Sequence, residues 1–206
     1  NNLARFESGD TQIKLISASM GDYFSDAFVT MGRGKGSINN NNLETLTYIT
    51  GEATSAAGLM QLANINSHLQ YNVIASTAPV LTSNGNTMAV GNANNVTGQL
   101  LVNFASLLYS YNFNLPLGNL IYNMAGADSL TVGSANFASN ATITTNLGNV
   151  GCLADCNGLL PNVGGNTSSL VGRFIGENAE RAGIQYGFTT GNANSSALTG
   201  SIVLQK

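Results

Sequence analysis

The chain has 206 residues, 43% of them hydrophobic but only 8% charged, and a formal net charge of -3 at pH 7. So weak a field excludes nucleic acid or an anionic membrane surface as partners held by counterion release. The apolar fraction excludes a chain disordered throughout, and no run approaches the roughly 18 apolar residues of a transmembrane helix.

Asn, Ser, Thr and 24 Gly residues take the place of charge. These residues suit solvated strand faces and tight turns, a composition common in secreted, surface-exposed and fibre-forming β proteins. The length suffices for a sizeable core without metal or many disulfides. No signal peptide is present, as expected of a mature or trimmed protein.

In chain order, residues 1–10 read as a polar lead-in, and 11–19 (TQIKLISAS) and 27–31 (AFVTM) as strands. Residues 32–42, rich in Gly and Asn, read as a loop, and 45–50 as another strand. Residues 53–65 carry Ala, Leu and Met with few β-branched residues and predict one short helix. From His68 onward the strand signal is sustained. Leu69, Tyr71, Val73 and Ala75 share one face, and His68, Gln70 and Asn72 the other. Residues 87–90 follow a Ser-Asn-Gly-Asn turn. Leu100, Val102 and Phe104 alternate with polar neighbours, as do Tyr109, Tyr111, Phe113 and Leu115, then Leu120, Tyr122 and Met124. A final strand spans 198–204. Short strands at close spacing, without helices between them, predict an all-β, mainly antiparallel sandwich or barrel.

The stretch 172–188, GRFIGENAERAGIQYGF, joins two alternating runs through a compact turn. Its Gly172, Phe174, Gly176, Ala179 and Gly183 resemble the Gly-x-Phe-x-Gly-x-x-Ala-x-x-x-Gly signature of transferrin-binding-protein-B-like β-barrels, near their C-terminal end. GQLLVNF at 98–104 resembles the family strand Gly-x-Leu-x-Val-Asp-Phe, with Asn103 where the family has Asp. LIYNMAG at 120–126 resembles the Tyr-x-x-x-Gly strand that follows, and 199–204 suits the closing strand. Glu177 follows Gly176 where the family has Pro. The resemblance covers about residues 97–204, and no segment matches the family's separate ligand-binding domain. It implies an antiparallel β-barrel of about eight strands over 67–206, preceded by an N-terminal strand extension and irregular lead-in over 1–66. Such barrels occur in surface proteins of Gram-negative bacteria, some with a FecR-type domain, and serve iron- or haem-acquisition lipoproteins.

The residues capable of chemistry are few. Cys152 and Cys156, spaced C-x3-C in GCLADCNG, are expected to close a small structural disulfide. The spacing is not that of thioredoxin-like sites, and no second Cys or His pair completes a zinc tetrahedron. His68 is the lone histidine and is expected on an exposed strand face. Glu177 and Glu180 lie in a turn beside Arg173 and Arg181, where charge pairing explains them more simply than a glycosidase pair. Asp22 and Asp26 lack the dense oxygen spacing of a Ca²⁺ loop. GRGKG at 32–36 lacks phosphate-loop spacing. Tyr109, Tyr111 and Phe113 are expected in the core.

No catalytic constellation emerges and no cofactor is implied. The expected function is therefore a non-enzymatic structural or assembly protein of the cell exterior, a fibre, sheath or matrix subunit. Its strand 11–19, with Ile13, Leu15 and Ser17, is the candidate for donation to a neighbour's sheet edge. The partner would be a second copy or another surface protein. The alternative is a surface-displayed binding module that contacts a haem- or iron-carrier protein. Either reading places the chain outside the cell or on the outer-membrane surface of a Gram-negative bacterium.

Overall fold

The computed structural model describes residues 4–8, 11–18, 22–38, 41–65, 67–83, 86–145, 168–189 and 196–206. The first sheet comprises β1 (Ala4–Ser8), β2 (Thr11–Ala18), β3 (Phe24–Ser25), β4 (Val29–Ile38) and β5 (Asn41–Gly51). β2 lies between β1 and β4, β3 shares one edge of β4 with β2, and β5 takes the opposite edge.

Two expectations change here. Residues 4–8 of the supposed lead-in are a strand, and within the supposed loop 32–42, residues 32–38 are the second half of β4 and 41–42 the start of β5. Gly-rich segments have poor strand propensity. Here cross-strand packing offsets that deficit: Gly32 pairs in register with Tyr48, whose ring occupies the space a Cβ on Gly32 would need. In β2, Ile13 pairs with Phe6 and Ile38, Leu15 with Ala4 and Gly36, and Ser17 with Lys35. Both edges of β2 are thus used within its own sheet.

The expected helix is α1 (Ala56–Asn64). The Ser55 side chain caps it by accepting from the Gly58 amide at 3.1 Å, a standard way to satisfy an orphan N–H. Its Leu59 and Leu62, three residues apart, share one face and enter the barrel core.

The second sheet runs through β6 (His68–Ser76), β7 (Val80–Ser83), β8 (Asn86–Val90), β9 (Thr97–Asn103), β10 (Leu108–Leu117) and β11 (Leu120–Ser129). It continues with β12 (Asn136–Asn140), β13 (Thr142–Thr145), β14 (Ser168–Ile175), β15 (Arg181–Thr189) and β16 (Ser196–Gln205). The strand order is β12-β14-β15-β16-β6-β9-β10-β11-β13. β12 and β13 are separated by Ala141 alone, so the two ends of the order are one run of chain. It pairs with β14 on one side and β11 on the other. The sheet thereby curls into a nearly closed, antiparallel barrel of eight staves, which leaves few unpaired edges. β7 extends the β6 stave along β16. At the break between them, the Thr77 amide donates to Ser201 O and the Thr77 hydroxyl accepts from the Ser201 amide, each at 2.9 Å.

The barrel interior is filled by side chains, as a barrel of this size requires. Tyr71, Phe113, Tyr122, Phe174 and Phe188 are fully buried. Tyr109, Tyr111 and Phe113 stack in a row within the core, as their alternation implies. The tight curvature is relieved by glycines set opposite rings: Gly98 pairs with Phe113, Gly126 with Tyr111, Gly172 with Phe137 and Gly200 with Tyr186. In each pair the aromatic residue takes the space where the glycine has no Cβ. On the outer face, amides satisfy one another without charge: Asn123 Nδ2 donates to Asn112 Oδ1 at 2.8 Å and to Asn114 Oδ1 at 3.1 Å.

The first sheet packs on the outside of the barrel. Val29 and Met31 from β4 meet the outward-facing Ile175 and Val203 in a second apolar cluster. This contact explains why β16 reads Ile202, Val203, Leu204 without alternation: the strand is buried on both faces there. Buried Asp22 bolts the two sheets together, accepting from the Arg33 guanidinium and from the Ala78 amide at 2.6 Å.

Candidate functional site

Built from its residues upward, the 172–183 motif is a clasp that positions the surrounding elements. Gly172 makes room for the Phe137 ring, and Phe174 enters the core. Gly176 has φ +90, a left-handed conformation that a side chain disfavours. Ala179 is fully buried with φ 55, and its carbonyl accepts from the Tyr71 hydroxyl at 2.8 Å. Gly183 lies under Ile49 of β5, so a Cβ there would collide with the first sheet. Thr54 Oγ1 donates to Gly176 O at 2.8 Å, and Lys206 Nζ donates to Asn178 O at 2.6 Å. Glu180 accepts from the amide and side chain of Asn178.

Burial, and after it the nearby Glu180 carboxylate, raises the Tyr71 hydroxyl above its ordinary value, so it stays protonated and donates. Tyr71→Phe should cost about 1–2 kcal/mol of stability by leaving the Ala179 carbonyl unpaired, measured by urea unfolding.

Arg181 carries the clasp onto the first sheet. Its Nε donates to Asp26 Oδ2 at 2.7 Å, and its guanidinium sits 5.1 Å from the Phe28 ring centroid. Asp26 also accepts from the amides of Phe28 and Val29 at 2.8 and 2.9 Å. Burial pushes its carboxyl up, but those two amides and Arg181 together hold it below its ordinary value. A carboxyl lowered in the folded state contributes stability above its unfolded pKa, and this is lost as pH falls through the folded one. The stability gap between the native protein and Asp26→Asn should therefore narrow as pH falls below about 5, as thermal melts at stepped pH would show.

Three of the four acidic residues considered from sequence are thus accounted for by their own partners. Asp22 pairs with Arg33, Asp26 with Arg181, and Glu180 with Asn178. Among the described residues no three His, Cys, Asp or Glu side chains converge. Cys152 and Cys156 lie outside the described residues.

Among the described residues, two surface concavities bear on function. The first is a cleft of about 630 Å³ between the first sheet and the barrel wall. Ile49 and Gly51 of β5 form one side, and the outer faces of β12, β14 and β15 form a ledge with Asn136, Ala138, Val171 and Arg173. Arg173 Nε donates to Asn136 Oδ1 at 2.7 Å, which fixes the guanidinium on the ledge. Gln185 Nε2 donates to Thr47 O at 3.1 Å, tying β5 to β15. The cleft ends where residues 52–54 run beside β14: the Gly176 amide donates to Glu52 O at 2.9 Å and the Thr54 amide to Phe174 O at 3.0 Å.

The second concavity is an outer-wall groove of about 920 Å³ across β6, β9, β10 and β11. His68, exposed as its strand face implied, lines it with Gln70, Leu101, Leu108 and Asp128. Leu101 and Leu108 are 40% and 55% exposed. Sequence reasoning picked out neither the Arg173–Asn136 pair nor this apolar groove, since outward positions are recognisable only once strand register is known.

No protein-family model matches the sequence, and no curated protein matches it either. Solved structures do match. Isotype 1 transferrin binding protein B (TbpB) from serogroup B Neisseria meningitidis is 15% identical at a TM-score of 0.51, with 98% of this chain and 34% of that one covered. A mutant TbpB vaccine antigen from Haemophilus parasuis Hp5 is 15% identical at 0.52, with 98% and 37% covered. Intact Ap-TbpB, with its N and C lobes, is 16% identical at 0.51, with 100% and 38% covered. The chain thus spans between a third and two fifths of each TbpB structure. The match includes the first sheet, beyond the 97–204 stretch that carried the sequence resemblance. The fibre, sheath or matrix subunit expected from composition finds no support in these likenesses, which are to binding proteins by name. The chain has the β-barrel fold of transferrin binding protein B, as the motifs at 98–104 and 172–183 implied.

Proposed function

We propose that the chain is a non-enzymatic binding module, displayed at the cell surface of a Gram-negative bacterium, that holds another protein against its outer faces. The likeness of nearly the whole chain to TbpB carries this reading. The filled barrel supports it: with Phe113, Phe174 and Tyr122 occupying the interior, a partner is met by surface clefts and grooves. The partner class is an iron- or haem-carrier protein, taken by analogy of fold, which suggests a function without assigning a site.

The test is surface plasmon resonance on the immobilised chain with iron-loaded transferrin, iron-free transferrin and haemoglobin as analytes. Saturable binding of one carrier at micromolar or tighter affinity is expected. Flat traces for all three overturn the carrier reading.

A further inference from the structure

We infer that the free edge of β5, above the barrel ledge, is a docking site for a single extended peptide strand bearing an acidic side chain. Among the described residues β5 pairs with β4 only, and no described strand lies on its second edge. Sheet edges are ordinarily blunted by charge, proline or a bulge because unpaired N–H and C=O groups template another strand. Residues 45–51 of β5, TLTYITG, contain neither charge nor proline.

The edge faces a built groove. Thr47 turns its carbonyl toward Gln185 of the barrel rather than toward β4. Backbone groups two residues apart in a strand point the same way, so those of Ile49 face the cleft that Ile49 lines. A strand added there would hydrogen-bond to β5 and lay alternate side chains on the ledge. Val171, 50% exposed on that ledge, offers apolar contact. Among the described residues Arg173 is the one charged residue lining the cleft, and Asn136 holds it in place. An Asp or Glu at one downward position of the guest strand meets it in a charge-assisted hydrogen bond.

The geometry disfavours a second copy as occupant. Edge-to-edge antiparallel pairing of β5 with β5 uses a two-fold axis normal to the sheet, which puts both barrels on the same side. The second barrel would then fall on the ledge. A lone strand, added as in β-augmentation, has no such bulk. This inference concerns the cleft alone and stands or falls independently of carrier-protein binding.

To test it, random peptides long enough for one strand, roughly ten residues, are selected by phage display on the immobilised full chain. Enrichment of alternating β-branched residues with an Asp or Glu is expected. A synthetic selected peptide should slow amide exchange at Ile49 by about tenfold or more. Arg173→Gln should weaken it by about tenfold, and more than it weakens the same peptide with Lys in place of the acid. Arg173 is exposed, so circular dichroism should show an unchanged fold. Failure to enrich any peptide, unaltered exchange at Ile49, or protection at another edge such as β8 overturns the inference. So does a dimer in light scattering that protects Ile49 without peptide.

Discussion

Phe174→Ala is expected to be among the most damaging single substitutions in the barrel, at about 3–5 kcal/mol and about 6–20 °C in Tm. The ring is fully buried, with centroids 5.9, 5.1 and 4.9 Å from those of Tyr71, Phe104 and Phe137. Removing it leaves a cavity among three aromatic side chains from separate parts of the barrel, which cannot collapse without shifting the staves. The backbone of the same residue is engaged on both sides, its amide donating to Ala135 O and its carbonyl accepting from the Thr54 amide. Collapse by backbone movement would break both bonds. Calorimetry of the variant decides the matter: a loss below about 1 kcal/mol would mean that the site repacks.

Gly98→Ala should cost about 3 kcal/mol or more, although it adds one methyl group. Gly98 has φ +142, and a Cβ there would meet the Asn112 carbonyl oxygen and the Phe113 Cα, both backbone atoms. Strain in φ and a collision with a neighbouring strand act together, and neither can be relieved by rotating a side chain. Gly187→Ala is the control, because the nearest atom to its Cβ would be Thr199 Cγ2 at 3.8 Å. That substitution should be neutral or stabilising by up to about 1 kcal/mol through the unfolded state. Equal unfolding midpoints for the two variants would refute the geometric argument.

Much of the barrel was legible in the sequence where one face is buried and the other wet. Tyr109, Tyr111, Phe113 and Leu115 alternate with Ser110, Asn112 and Asn114, and that period-2 pattern is the strand. The helix was legible because Ala, Leu and Met favour it locally. The strands missed are those whose residues argue against a strand in isolation, such as the Gly-rich half of β4 and the short β12 and β13. Their pairing comes from partners far along the chain: Gly32 with Tyr48, and Asn136 with Arg173. The motif residues from Gly172 to Gly183 were also legible, but their role as a clasp was not. Their contacts run to Tyr71, Ile49, Phe137 and Asp26, and Asp26 lies 155 positions from its partner Arg181.

The function shows the same division. Low charge and abundant Asn, Ser and Thr are shared by fibre subunits and by displayed binding domains, so the scarcity of charge, on which the expectation of a fibre rested, could not separate them. By itself the sequence determined the all-β class and the filled interior, because alternation is written in neighbouring residues. Only the tertiary structure decided that the first sheet lies against the barrel wall, that β5 overlooks the Arg173 ledge, and that β2 pairs on both edges. Those arrangements depend on which faces meet across long stretches of chain, and backbone edges look alike in sequence whether they are covered or open.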